Sequence, residues 1–295
     1  MRVLNTDRVD VVADVGAVVG EGPLWDASRD ALLWVDIPRN RLNWLRPGDG
    51  EVMSFDVGQP VGAAAVRSAG GVVLAMRDGF GLFDPQTSDV ELARPVEQQV
   101  KTNRMNDGKC DSAGRFWAGT MAYDMSPGAG ALYRLDADLQ VVRVLDGVSV
   151  SNGLAWSRDD RTMYFIDTGA GGVDAFDYNS ESGQIDNRRR IIDVAPDDGL
   201  PDGMTIDAEG FLWVAVWDGW CVRRYAPDGT LDLVVELPTA QITSCTFGGP
   251  SFDELYITSA ADGLSERQRD EQPHAGAIFS VRPGVEGLPP QEFAG

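Results

Sequence analysis

The chain has 295 residues, with 25 Lys and Arg against 46 Asp and Glu, so its formal net charge at pH 7 is −21. A protein this acidic repels nucleic-acid phosphates and anionic lipid surfaces, which disfavours both as partners. The longest uninterrupted apolar stretch, residues 211–217, is far shorter than the roughly 20 residues that span a bilayer, so no membrane segment is predicted.

Cysteine and histidine usage restricts both the compartment and the chemistry. The three cysteines are far apart and form no C-x-x-C motif (Cys110, Cys221, Cys245), so neither a disulfide framework nor a thiolate zinc site is predicted. Aspartates interrupt the apolar N-terminus, which disfavours a secretory signal, and we predict a cytoplasmic protein. The only histidine, His274, stands in a loop-like segment. We therefore expect chemistry based on carboxylates, amides and a metal ion rather than on a histidine triad or a histidine zinc site.

Short strand-like runs recur along the chain between Gly, Asp and Pro turns, without sustained helical periodicity. In chain order they are LLWVDI from Leu32, GVVLAM from Gly71, RFWAGT from Arg115, MYFIDT from Met163, FLWVAV from Phe211 and ELYITS from Glu254. Placed in register, these runs are 40, 43, 48, 48 and 43 residues apart. A repeat of this length holding about four strands is typical of a β-propeller blade. The sequence thus predicts an all-β, six-bladed β-propeller forming a single domain over residues 1–295.

A related segment precedes each run and predicts the innermost strand of the blade. These segments are EGPLWD at Glu21, VGAAAV at Val61, NDGKCD at Asn106, NGLAWS at Asn152, DGMTID at Asp202 and SCTFGG at Ser244. Equivalent positions of all blades face one central channel, so the oxygen-bearing residues before glycine are expected to converge there: Glu21, Asn152 and Asp202. Asn and Asp before Gly also form local Asx turns, which is the alternative explanation for each residue alone. Asp107 has the same phase, but its crowded Asn-Asp-Gly turn favours a structural role.

The order of these segments resembles a known family, that of senescence marker protein, gluconolactonase and luciferin-regenerating enzyme, whose members are six-bladed propellers. The resemblance spans nearly the whole chain, through Glu21-Gly22-Pro23, Asn103 to Lys109, Ala118 to Met121, Ser151 to Leu154, Pro201 to Met204 and Thr243 to Cys245.

The resemblance also implies roles for individual residues. Glu21, Asn152 and Asp202 match the family's metal ligands, and Arg104 and Asn106 match residues that contact substrate. A family glutamate that also meets the substrate corresponds here to Asp124.

Two carboxylates and an amide oxygen suit a hard divalent ion such as Ca²⁺, Mg²⁺ or Mn²⁺, and zinc with less selectivity. Such an ion polarises an ester carbonyl and activates water, with Asp202 as both ligand and general base. The resemblance therefore implies an enzyme that opens a sugar lactone to its aldonic acid, with the identity of the sugar left open. Two alternatives remain: a metal-dependent hydrolase of organophosphates or acyl lactones, and a non-enzymatic calcium-binding or scaffold propeller.

Overall fold

The computed structural model describes residues 1–295 and is built almost entirely from short strands. The first ten are β1 (Arg2–Leu4), β2 (Asp10–Ala13), β3 (Gly20–Asp26), β4 (Ala31–Asp36), β5 (Arg41–Arg46), β6 (Glu51–Asp56), β7 (Val61–Val66), β8 (Val72–Met76), β9 (Gly79–Asp84) and β10 (Asp89–Pro95). The next eight are β11 (Asn103–Cys110), β12 (Phe116–Ala122), β13 (Gly130–Leu135), β14 (Val141–Val148), β15 (Ser151–Trp156), β16 (Thr162–Asp167), β17 (Gly172–Asn179) and β18 (Gln184–Asp193). The last seven are β19 (Leu200–Ile206), β20 (Leu212–Trp217), β21 (Cys221–Tyr225), β22 (Leu231–Glu236), β23 (Ile242–Gly248), β24 (Glu254–Ser259) and β25 (Ile278–Val281).

Helical structure is confined to short connections. Three 3-10 turns cover Thr6–Arg8, Thr168–Ala170 and Pro196–Asp198, and the single α-helix, α1, covers Glu266–Glu271. None of these helices has the length and apolar character needed to cross a bilayer.

The strands form six sheets, which are the six blades of a propeller. Blades 1 to 5 begin with β3, β7, β11, β15 and β19, and each adds its next three strands outward in chain order. In blade 6, the N-terminal strand β2 pairs antiparallel with β25 as the fourth strand, so the two ends of the chain close the ring. Strand β1 adds a fifth, parallel strand to the outer edge of blade 5. The predicted all-β six-bladed propeller is confirmed.

Burial falls from the inner strands to the outer strands of a blade. Strands β4 and β12 are buried at every position, whereas the outermost strands β6 and β10 are largely exposed. A strand covered on both faces by neighbouring blades needs apolar residues on both faces, so its sequence reads as a continuous apolar run rather than as an alternating one. This packing explains why the repeat is most visible in the second strand of each blade.

A register irregularity interrupts the pairing of every innermost strand with the second strand of its blade. In the four blades whose innermost strand carries an Asn, Asp or Glu before glycine, the irregularity lies between one pair of residues each: Glu21/Leu24, Met105/Gly108, Ser151/Leu154 and Pro201/Met204. Bulges of this kind redirect side chains and are common beside functional sites. The polar residue and the glycine of each repeat therefore share one bulge.

The repeated glycine allows neighbouring innermost strands to approach closely. A Cβ on Gly203 would overlap the Ser244 hydroxyl oxygen of blade 6, and one on Gly153 would lie 2.8 Å from the backbone nitrogen of Met204 in blade 5. These contacts leave no room for a side chain. The glycine repeat therefore narrows the ring around the channel.

The turns that follow the innermost strands lie at the end of the channel opposite the first residues of those strands. We call this end the far end. In blades 1, 3 and 5 this turn begins with a buried aspartate that accepts an indole N–H: Asp26 from Trp44 at 3.0 Å, Asp111 from Trp117 at 2.8 Å and Asp207 from Trp213 at 2.9 Å. The C-terminal tail also packs at this end, where the backbone N–H of Ala294 donates to the Gly114 carbonyl at 2.9 Å and Phe293 is fully buried.

Candidate active site

The three predicted metal ligands lie at the start of three innermost strands, at the end of the channel opposite the far end. Glu21 is the second residue of β3, Asn152 the second of β15 and Asp202 the third of β19. All three side chains are buried, with 4%, 4% and 7% of their residue surface exposed. Glu21 and Asp202 are close enough to repel each other electrostatically. The structure therefore brings the two carboxylates together at one end of the channel.

The charges of these carboxylates are poorly compensated by the protein. Burial, followed by the charges of Asp202 and Asp107, raises the pKa of Glu21 well above its ordinary value. Burial and the charge of Asp107 likewise raise the pKa of Asp202, and no hydrogen bond from the protein opposes the shift. Arg104 offsets part of this repulsion. A group of buried carboxylates whose mutual repulsion is only partly offset favours a bound cation.

Asp107 belongs to the same group of charges. It is 4% exposed and accepts a hydrogen bond from the backbone N–H of Gly108 at 2.7 Å, as expected for a local turn. Its charge also acts on both Glu21 and Asp202. The local hydrogen bond predicted from the Asn-Asp-Gly sequence is thus present, but the residue also contributes to the electrostatics of the site.

Asn152 is held by two side-chain hydrogen bonds. Its Oδ1 accepts from Nδ2 of Asn106 at 2.9 Å, and its own Nδ2 donates to the Thr168 hydroxyl at 2.7 Å. The Thr168 hydroxyl in turn donates to the Pro201 carbonyl, beside Asp202. Thr168 was not found from the sequence, because it follows the second strand of blade 4, outside the repeated segment. It links blade 4 to blade 5 and fixes the orientation of the Asn152 amide.

Arg104 and Asn106 form the next layer of the site. Arg104 Nη1 donates to Asn106 Oδ1 and to the Met105 carbonyl. The two amide hydrogens of Asn106 are taken by Asn152 Oδ1 and the Ser151 carbonyl. Asn106 therefore connects Arg104 to Asn152, while Nε and Nη2 of Arg104 make no hydrogen bond within the protein.

Asp124 has different surroundings from the other predicted site residues. Its exposed carboxylate accepts from the backbone N–H of Ser126 at 3.0 Å and from the Ser126 hydroxyl at 2.7 Å, and these hydrogen bonds lower its pKa. The hydrogen bonds of Asp124 are thus made within its own loop, and its contact with substrate stays a prediction. The residue before it, Tyr123, lies against Arg104 instead, with the guanidinium carbon 6.0 Å from the ring centroid.

Lys109 is a further, half-buried charge that the sequence did not single out. Its ammonium donates to the Met204 carbonyl at 2.6 Å. Burial lowers its pKa, against the opposing effect of Asp107. Its place on β11, two residues after Asp107, is the signal that could have indicated it, since alternate residues of a strand point to the same face.

The donor set fits a hard divalent cation. No three acidic, histidine or cysteine side chains are grouped so as to hold an ion by themselves, so a cation bound by Glu21 and Asp202 would take the amide oxygen of Asn152 as its third protein ligand. Oxygen-only coordination completed by water is the type preferred by Ca²⁺, Mg²⁺ and Mn²⁺.

Comparison with known proteins agrees with this architecture. Residues 19–261 match the model of the SMP-30/Gluconolactonase/LRE-like region. The chain belongs to this family. The resemblance inferred from the sequence is thus confirmed, and membership of the family supports a lactonase-type function.

Individual relatives of the family resemble the chain over its full length. Regucalcin of Xenopus laevis is 40% identical over 299 residues, which cover 99% of this chain and 100% of the relative. A solved luciferin-regenerating enzyme superposes with a TM-score of 0.91 at 33% identity, covering 97% of this chain and 99% of the other. A structure described as a calcium-binding protein, regucalcin, from Agrobacterium tumefaciens gives a TM-score of 0.95 at 28% identity, covering 99% of both chains.

Proposed function

We propose that the protein is a metal-dependent hydrolase that opens a sugar lactone, such as gluconolactone, to its aldonic acid. The observation that carries this proposal is the convergence of buried, poorly compensated Glu21 and Asp202 at one end of the channel, beside the fixed amide of Asn152. Membership of a family that includes gluconolactonase supports the choice of reaction.

Substrate binding is assigned to the layer that surrounds the carboxylates. Nε and Nη2 of Arg104 remain free to donate to substrate hydroxyls, because only Nη1 is used within the protein. Asn106 Oδ1 accepts one hydrogen bond from Arg104 and retains one acceptor position for a hydroxyl. Both groups bind parts of the sugar that do not react, so they position the ester rather than take part in bond breaking.

Proton transfer is assigned to Asp202. When a water oxygen adds to the lactone carbonyl carbon, Asp202 accepts the proton that this water loses. Collapse of the tetrahedral adduct breaks the bond between the carbonyl carbon and the ring oxygen, and the ring oxygen receives the proton from Asp202. Asp202 suits this role because no hydrogen bond from the protein occupies its oxygens.

Glu21, Asn152 and Asp202 would hold the divalent ion. Once bound, such an ion polarises the ester carbonyl and lowers the pKa of nearby water.

Acid release provides the direct test of this function. A panel of aldonolactones is added to the protein with a pH indicator, before and after exhaustive chelation. Turnover that disappears on chelation and returns with divalent ions is expected. Full activity of a protein shown to be metal-free would refute metal dependence, and no turnover of any aldonolactone would refute the lactonase assignment.

A cation-binding role without turnover is the second candidate. The name of the Agrobacterium relative describes it as calcium-binding, and the buried carboxylates of this chain would serve that role without any catalysis. Stoichiometric Ca²⁺ binding combined with no turnover of any lactone or ester would favour this candidate.

A further inference from the structure

Tyr123 forms the outermost layer of the site. It is the first residue after β12, and its backbone N–H donates to the Thr102 carbonyl at 2.9 Å, which fixes the start of the loop. The residue is 51% exposed, although its ring lies against the guanidinium of Arg104. A large apolar ring held at a polar site, with half of its surface exposed, has surface available for a ligand.

Contacts connect this ring to the proposed reaction centre. Arg104 holds the ring of Tyr123 on one side and Asn106 on the other, and Asn106 donates to the amide of Asn152. Arg77 also interacts electrostatically with Tyr123. The ring therefore stands beside the hydrogen-bond donors assigned to the substrate hydroxyls.

We propose that Tyr123 is a specificity-determining residue, whose ring packs against the C–H face of a cyclic substrate while Arg104 binds its hydroxyls. This inference rests on the proposed function and narrows the substrate class to lactones whose ring presents a hydrocarbon face. The open-chain acid produced by hydrolysis has no rigid face to pack on the ring. Tyr123 thus favours binding of the cyclic lactone over binding of the open-chain acid that forms from it.

The test measures binding, so that it does not depend on turnover. The probes are the lactam analogue of gluconolactone, which resists hydrolysis because an amide replaces the ester, and open-chain gluconate. Calorimetric titration with a divalent cation present compares the wild-type protein with Tyr123→Ala and Tyr123→Phe. Trp220→Ala is the matched control, since Trp220 is a similarly exposed aromatic residue (43%) that lines a separate cavity with Met1 and Asp198.

Loss of the ring should weaken lactam binding about threefold to tenfold, the usual contribution of an aromatic contact. Tyr123→Phe and Trp220→Ala should bind the lactam like the wild type, and gluconate binding should change little in any variant. In turnover assays Tyr123→Ala should raise KM with kcat nearly unchanged.

The outcomes separate this inference from the proposed function. Lactam binding that depends on Tyr123, in a protein that opens no lactone, would refute the function and retain the inference. Lactone turnover with the same lactam affinity in Tyr123→Ala and wild type would overturn the inference and retain the function. Absence of lactam binding to the wild type, or equal weakening of lactam and gluconate binding, would also overturn it.

Discussion

Buried carboxylates at the two ends of the channel have opposite surroundings. At the far end, Asp111 accepts hydrogen bonds from Arg115 at 2.7 Å, from Trp117 at 2.8 Å and from Tyr178 at 2.7 Å. At the site end, Asp202 is almost as buried but accepts no hydrogen bond from the protein. Asp202 lies near the start of the innermost strand β19, whereas Asp111 lies just after the end of the innermost strand β11.

This difference separates stability from function. A buried carboxylate that accepts hydrogen bonds from buried donors supports the fold. Removing either partner destabilises the protein, because the remaining buried charge is then unpaired. A buried carboxylate without donors destabilises the fold until a ligand completes it, and such sites are typical of binding and catalysis.

Asp202→Asn should abolish most of the catalysis without unfolding the protein. The amide keeps an oxygen ligand but cannot accept a proton, so kcat for lactone opening should fall about 10²- to 10⁴-fold. Metal analysis in excess divalent ion and thermal unfolding complete the measurement. We expect the amide oxygen to hold the ion at saturating concentration, although loss of one of two charged ligands weakens its affinity, and we expect the melting temperature in chelator to be at least that of the wild type. A near-normal kcat in metal-loaded protein would remove Asp202 from the role of base.

Asp111→Ala should have the opposite effect at the far end. It leaves Arg115 buried without its partner, so the free energy of unfolding in urea should fall by about 3–5 kcal/mol. The kcat of the folded fraction should be unchanged. Asp49→Ala is the control, because it breaks an exposed surface pair with Arg46 and should have little measurable effect. Equal stability of the Asp111 and Asp49 variants would contradict the contrast between buried and exposed pairs.

Arg104→Met should weaken substrate binding and leave the chemical step nearly intact. Loss of one or more charge-assisted hydrogen bonds should raise KM about tenfold or more. Since these contacts are the same in the bound substrate and in the transition state, kcat should stay close to the wild-type value. Steady-state kinetics with one lactone are sufficient. A large fall in kcat at unchanged KM would place Arg104 in the chemical step instead.

The far end should also show a distinct pH dependence through Asp26. Burial opposes ionisation of this carboxyl, but hydrogen bonds from Ser28, Arg29 and Trp44 outweigh burial and lower its pKa. At pH values near these two pKa values, Asp26 therefore binds fewer protons in the folded protein than in the unfolded chain. The stability that Asp26 contributes is fully present above the unfolded pKa of about 3.9 and is lost as pH falls through the lowered folded pKa.

Denaturant unfolding at several pH values tests this dependence. The stability difference between wild type and Asp26→Asn should be constant near neutral pH and should shrink in acid. A difference that grows as pH falls would show that the pKa of Asp26 is raised in the folded protein.

The fold was predictable because its core pattern is local and repeated. A strand buried between blades must be apolar on both faces, so runs such as the one in β12 mark each blade without any knowledge of contacts. The closure by β2 was not predicted, because its pairing with β25 joins opposite ends of the chain. A strand of four residues carries no signal for a partner so distant in sequence.

The site was predictable only where it follows the repeat. Glu21, Asn152 and Asp202 share one phase of the innermost strand, so their convergence follows from blade geometry. Arg104 was found only through the family resemblance. Tyr123 could not be found, because its place depends on the path of the loop after β12, where the carboxylate of the neighbouring Asp124 binds Ser126 instead.

Cation binding tests the difference between the two ends most directly. Ca²⁺ is titrated calorimetrically into metal-stripped wild type, Glu21→Gln at the site end and Asp26→Asn at the far end. We expect one ion per wild-type chain, an affinity reduced by about tenfold or more in Glu21→Gln because one of two charged ligands is lost, and wild-type affinity in Asp26→Asn. Wild-type affinity in Glu21→Gln, or no binding by the wild type, would contradict this expectation.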